Sequence, residues 1–159
     1  MNAYADSNFF TRLYIETEWT EEVLFTLGTL MSSGGRLPVL WLHRVEIRNA
    51  FELFVFAGKQ GRGTRFAPEA TAAAQARFRA DCRSRSGPFR ESALSLEAWE
   101  HAAEELSLRH SSKLGFRTYD VLHVAAAKEL GADIFYSYDE RCNQLAALEG
   151  LKTPFQRKR

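Results

Sequence analysis

Residues 118–150, TYDVLHVAAAKELGADIFYSYDERCNQLAALEG, decide the fold class because they read as a helix, a strand and a second helix without interruption. Thr118 to Leu130 is apolar at helical spacing and is bounded by Gly115 and Gly131. Ile134 to Tyr138 is a short run rich in β-branched and aromatic side chains, and Glu140 to Glu149 is a helix that Gly150 ends. An acid marks each helix start: Asp120 in the first turn of one, Asp139 where the strand hands over to the other.

The rest of the chain follows the same grammar. Met1 to Ala5 predicts a strand ending at Asp6, and Asn8 to Glu16 a helix with Phe9, Leu13 and Tyr14 inward. Thr20-Glu21-Glu22 opens a second helix by N-cap chemistry, and Ser32-Ser33-Gly34-Gly35 stops it. Pro38 to Leu42 is apolar throughout, as a buried parallel strand is. A helix over His43 to Ala57 carries Glu46, and the Gly58 to Gly63 loop leads to an alanine-rich helix over Pro68 to Ser84. Ser86-Gly87-Pro88 breaks that helix; Leu96 to His110 is the next, and Lys152 to Phe155 fits a final edge strand. Alternating strands and helices predict an α/β class with a central, mostly parallel sheet covered on both faces, and a helical arm between Glu46 and Arg85. The length suits one domain over residues 1–155, followed by a basic tail at 156–159.

Composition narrows the function classes. The longest apolar run, Leu37 to Leu42, is too short to span a bilayer, and the N-terminus lacks the pattern of a signal peptide. Cys82 and Cys142 have no C-x-x-C spacing and read as free thiols of a reducing compartment, which predicts a cytoplasmic protein. Net charge is only +1, but Lys59 to Arg90 carries Lys59, Arg62, Arg65, Arg77, Arg79, Arg83, Arg85 and Arg90 against Glu69 and Asp81. Such a stretch suits a polyanion beside an acidic site, but taken alone it reads first as a solvated helix face. Lys59, Arg62 and Arg65 are the candidates for guiding the backbone of such a polyanion. Gly58, Gly61 and Gly63 follow a helix and lack the G-K-[ST] ending, so they read as a connector.

The acids Asp6, Glu46, Asp120 and Asp139 carry the chemistry. Each alone has an ordinary explanation: Asp6 and Asp139 as N-caps, Asp120 as a complement to the helix dipole with Thr118 as the cap, Glu46 as a surface residue. Together they lie where strands give way to helices, and an open α/β sheet gathers such positions at one crevice. Carboxylates sharing a crevice repel unless a hard cation lies between them. The donors are all oxygens, so Mg²⁺ or Mn²⁺ is the expected ion and metal-assisted hydrolysis the expected chemistry. His123, three residues after Asp120, reads as a packed helix histidine.

Tyr4-Ala5-Asp6-Ser7-Asn8-Phe9, the helix motif Arg117-Thr118-Tyr119-Asp120-Val121-Leu122-His123-Val124-Ala125-Ala126-Ala127, and Phe135-Tyr136-Ser137-Tyr138-Asp139-Glu140-Arg141 through Gly150-Leu151 resemble the PIN-domain family. The likeness is to its VapC-like ribonuclease toxins of type II toxin–antitoxin pairs, and Val45-Glu46-Ile47 fits that family's helix-borne glutamate. The resemblance covers essentially the whole chain. It implies a three-layer α/β/α nuclease fold, with Mg²⁺ or Mn²⁺ held by Asp6, Glu46, Asp120 and Asp139. Ser7 and Ser137 would fix carboxylates and waters from behind. It further implies an RNA substrate, a cognate antitoxin and a homodimer. A catalytically degenerate PIN-like module that binds RNA or protein is the alternative. A dehalogenase-like phosphatase would need an acid two residues after Asp6, where Asn8 stands, and a receiver domain needs an N-terminal acidic pair that is not apparent.

Overall fold

Each strand of the structure is only three residues long, and helices supply most of the framework. The computed structural model describes residues 2–61 and 66–155. In chain order the elements are β1 (Ala3–Ala5), α1 (Ser7–Tyr14), α2 (Thr20–Ser32), β2 (Leu37–Val39), α3 (Trp41–Lys59), α4 (Pro68–Arg83), β3 (Phe89–Glu91), α5 (Leu96–Leu106), α6 (Ser112–Leu114), α7 (Thr118–Glu129), β4 (Ile134–Tyr136) and α8 (Glu140–Leu148). A π-helical turn over Ser107–Ser111 joins α5 to α6. No helix among the described residues is long and apolar enough to cross a membrane. The chain divides into two compact units, Met1–Asp6 with Ala93–Arg159 and Ser7–Ser92.

In the first unit, β1 and β4 pair in parallel with Ala3 opposite Ile134 and Ala5 opposite Tyr136. A single parallel bridge from Ile134 to Lys152 is all that forms of the expected terminal edge strand. Tyr4 stacks on Phe135 with ring centroids 5.6 Å apart, and both rings are fully buried. Burying each ring contributes on the order of 1.5–3 kcal/mol. Helix α7 presents Ala125, Ala126 and Ala127, all fully buried, so neighbouring elements approach its backbone closely. The Trp99 indole on α5 donates to the Leu122 carbonyl of α7 at 2.9 Å, which satisfies its polar atom while the ring is buried.

In the second unit, β2 and β3 pair in parallel with Leu37 opposite Phe89. Strand β3 escapes a sequence reading because Phe89 alone of its residues is buried, and Arg90 and Glu91 show no apolar pattern. Phe10 is the hub of an aromatic core, with His43, Phe78 and Phe89 in edge contact at 5.1, 6.1 and 5.1 Å between centroids. The helical stretch from Glu46 to Arg85 appears as α3 and α4, which pack on each other, with α4 also resting on β3 and α1. The Arg36 guanidinium donates to the carbonyls of Gly87, Ser84 and Phe89 and so ties β2 to the turn before β3. That turn needs glycine, because a Cβ at Gly87 would lie 2.8 Å from Ser84 Cβ and 2.9 Å from the Asp81 carbonyl oxygen.

Candidate active site

Three of the four acids singled out in the sequence, Asp6, Asp120 and Asp139, belong to the first unit, where a chain of polar contacts links them. The Asp6 N–H donates to the Tyr136 carbonyl at 3.0 Å and so extends the β1–β4 ladder by one bond. That register sets Asp6 beside Ser137, whose hydroxyl donates to Asp6 Oδ2 at 2.5 Å. The same hydroxyl oxygen accepts the Asp139 N–H at 2.9 Å. Ser137 is wholly buried, and Asn143 of α8 fixes its carbonyl with a 2.8 Å bond. The loop between β4 and α8 is therefore held at both its hydroxyl and its backbone.

Asp139 is the N-cap of α8, accepting the N–H groups of Arg141 at 2.8 Å and Cys142 at 3.3 Å. Asp120 sits at the third position of α7 and accepts the Arg117 N–H at 3.1 Å, so Arg117 rather than Thr118 is the residue at the helix cap. Asp139 thus fills the N-cap role open to it in the sequence, whereas Asp120 takes a capping bond where only a dipole complement was expected, and each bond uses part of a carboxylate.

Arg117 stands at the head of the α7 motif, where its sequence position alone implied no role. Its guanidinium donates to Asp120 Oδ2 and Oδ1 at 3.2 Å each and to Asp139 Oδ2 at 2.6 Å. One cation, 62% exposed, bridges the nearly buried Asp120 and the partly exposed Asp139. Burial pushes the Asp139 carboxyl upward, but the Arg117 bond, the N–H groups of Arg141 and Cys142 and the arginine charge outweigh it and hold it below the ordinary value. The same two acids hold Arg117 firmly protonated. A basic residue at the cap position, three before an acid, was the available signal.

Glu46 lies in the second unit, on the first turns of α3, and accepts the Ser7 hydroxyl at 2.6 Å. Ser7 follows Asp6 directly in the chain. His123 is buried with its Nδ1 2.8 Å from the Tyr4 hydroxyl, the packed histidine its position suggested. Lys59 is exposed at the end of α3; Arg62, Arg65 and the tail at 156–159 lie outside the described residues.

Among the described residues no three His, Cys, Asp or Glu side chains form a metal-holding group. Asp120 and Asp139 nonetheless focus on one positive point, since a single Arg117 nitrogen is within 3.2 Å of one and 2.6 Å of the other. Their donors are carboxylate oxygens, which suit Mg²⁺ or Mn²⁺ and not a soft metal. The pair therefore fits a hard cation in chemistry and in focus, with the guanidinium standing where positive charge is held.

Among solved structures, the Mycobacterium tuberculosis toxin VapC20, described as cleaving the sarcin-ricin loop, matches at a TM-score of 0.59. The match covers 90% of this chain and 94% of that one, at 16% identity. The fold is that of a VapC-like PIN domain, as the sequence motifs indicated. No family model matches the sequence, and no curated protein is similar enough to it to match.

Proposed function

We propose that this chain is a metal-dependent endoribonuclease, the toxin of a type II toxin–antitoxin pair, acting in the cytoplasm on RNA. The observation that carries the reading is the Asp6–Ser137–Asp139–Arg117–Asp120 network of a VapC-like fold, in which Asp6 and Asp139 follow strands β1 and β4 while Asp120 opens α7 after a helix and not, as expected, after a strand. Asp6, Asp120 and Asp139 would hold Mg²⁺ or Mn²⁺. Glu46 is proposed as the fourth carboxylate on the strength of its bond to Ser7, the residue after Asp6.

When bound, such an ion lowers the pKa of water and neutralises charge on a phosphodiester. The protein's own part is to hold the carboxylates still. Ser137 keeps one Asp6 oxygen oriented, the α8 N–H groups hold one Asp139 oxygen, and the other Asp139 oxygen carries the Arg117 guanidinium, which an ion would displace. Homodimerisation is proposed from α3, where Trp41, Val45, Leu53 and Phe56 are each more than half exposed. A cognate antitoxin is proposed as the partner that restrains the nuclease.

The Arg117 bridge favours one second reading, a module that binds RNA without cleaving it, because Asp120 and Asp139 already have a cation. Cleavage of RNA in Mg²⁺ or Mn²⁺ decides between them. Asp6→Asn and Asp120→Asn keep the shape of each side chain and are expected to abolish metal-dependent cleavage while circular dichroism stays native. Full cleavage by both variants would overturn the nuclease site; absence of turnover by the wild-type protein at every metal concentration would favour the binding module.

A further inference from the structure

A cleft wholly within the Ser7–Ser92 unit, between α3 and α4, has no part in the carboxylate network. It encloses about 570 Å³, a volume typical of small-ligand sites. Arg44 and Arg48 line it one turn apart on α3, and Gln75, Arg79 and Arg83 line it at successive four-residue steps on α4. Two helices thus turn basic rows into one groove. The floor is apolar, with Phe78 and Cys82 buried. Burial, followed by the charge of Glu91, pushes the Cys82 thiol up to about 11, so it stays neutral and adds no negative charge.

The cleft also has acids, but they are weak competitors. Glu91 pairs with Arg44 at 3.6 Å and Glu52 with Arg48 at 3.1 Å, and both pairs are about half exposed or more, where ion pairs exchange readily. Among the described residues Arg79 and Arg83 have no ion pair, so the groove keeps an excess of positive charge. A second, independent feature points to a ligand with hydroxyl groups. Gln75 is only 6% exposed, and among the described residues its Oε1 has no hydrogen-bond partner. A buried acceptor left without a donor is costly, and a ligand O–H would satisfy it. Phosphate for the arginines and a hydroxyl for the glutamine together describe a ribose-phosphate chain.

We propose that the α3–α4 cleft binds the sugar-phosphate backbone of single-stranded RNA, with Arg79 and Arg83 on phosphates and Gln75 Oε1 accepting a ribose 2′-hydroxyl. Arg44 and Arg48 join as their glutamates exchange for phosphate. The choice of RNA as the polyanion rests on the ribonuclease reading; the cleft itself does not.

The test is fluorescence anisotropy of a short labelled single-stranded RNA over a KCl series, in EDTA so that no metal-dependent cleavage intervenes. Each phosphate contact on a single strand contributes about 0.7 to the slope of log K against log salt, so Arg79→Ala/Arg83→Ala lowers that slope by about 1.4. Arg85→Ala/Arg90→Ala removes equal charge from exposed positions outside the cleft and leaves the slope unchanged. Gln75→Leu keeps the slope but reduces the preference for RNA over DNA of the same sequence by about 3- to 10-fold, the value of one hydrogen bond. An unchanged slope in the first pair, an equal drop in the second, or equal affinity of the wild-type protein for RNA and DNA overturns the proposal. Displacement of the RNA by polyglutamate at matched charge also overturns it, since the cleft would then suit an acidic protein segment. If Asp6→Asn abolishes cleavage while the slope is insensitive to Arg79 and Arg83, the cleft alone falls. A slope drop in a protein that never cleaves RNA removes the nuclease and leaves the cleft.

Discussion

Replacing Arg117 with methionine tests whether its guanidinium is the cation that keeps Asp120 and Asp139 together in the absence of a metal. The substitution keeps the stem and the backbone N–H that Asp120 accepts at 3.1 Å, and Asp139 keeps the N–H groups of Arg141 and Cys142. Neither carboxylate is stripped bare. What disappears is a set of charge-assisted bonds at 2.6 and 3.2 Å from a cation that is 62% exposed to two acids that are 31% and 6% exposed. Bonds to charged groups contribute about 1.5–3 kcal/mol and exposed ion pairs about 0.2–1 kcal/mol, so solvent screening brings the loss to roughly 2 kcal/mol. In a protein of this size that lowers the Tm by about 4–8 °C. On the proposed metal site a divalent ion then no longer competes with the guanidinium, and the same 2 kcal/mol is expected to make Mn²⁺ bind about 10- to 30-fold tighter. Calorimetric titration with Mn²⁺ and thermal melts with and without it measure both quantities. The variant is expected to melt lower without metal and to recover that loss as Mn²⁺ is added. A variant that melts with the wild type, or that binds Mn²⁺ no more tightly, refutes the idea that arginine and metal share one place.

Two further predictions concern the frame. Glu149 is nearly buried and bonded by Arg109, His110 and Lys128, with the Arg109 and His110 contacts at 3.1 and 2.7 Å. Burial pushes its carboxyl upward, but the Lys128 and His110 bonds and the lysine and arginine charges hold it below the ordinary 4.5. Its stabilisation is therefore complete above about 4.5 and is lost as pH falls through the lower folded value. Glu149→Gln should cost about 2 kcal/mol in urea unfolding at pH 7, with the difference from wild type shrinking in acid; a difference that grows in acid would contradict the sign. Gly87→Ala should cost about 1–3 kcal/mol, because the added methyl meets the Asp81 carbonyl and backbone cannot yield as a side-chain tip does. An alanine variant that unfolds at the same urea concentration would show that the turn relaxes freely.

The sequence was most legible where chemistry is local. The run 118–150 announced α7, β4 and α8 through its glycines and apolar spacing, and the structure places those elements within two residues of the predicted ends. Strand β3 was illegible, since three residues with one buried side chain carry no period. The π-helical turn at Ser107–Ser111 was hidden as well: nothing in the spacing marks one extra residue in a helix, although the inserted turn carries Arg109 and His110, both of which reach Glu149.

Of the site, the acids were readable because they stand in local motifs, and two of them, Asp120 and Asp139, also accept backbone N–H groups at helix starts. That double use is why their partners were not. A cap needs only a nearby N–H, whereas the Arg117 bridge needs α7 and α8 to start side by side, with Asp139 22 residues away in the chain. The Ser137 hydroxyl makes the point from the other side. It is buried and donates to Asp6 across a separation of 131 residues, while its oxygen accepts from Asp139 only two residues away. The local half of that arrangement is visible in Ser137-Tyr138-Asp139; the long-range half exists only once the parallel ladder closes. A cut in that ladder should therefore disturb Asp6 and leave Asp139 capped, so the acids would not fail together.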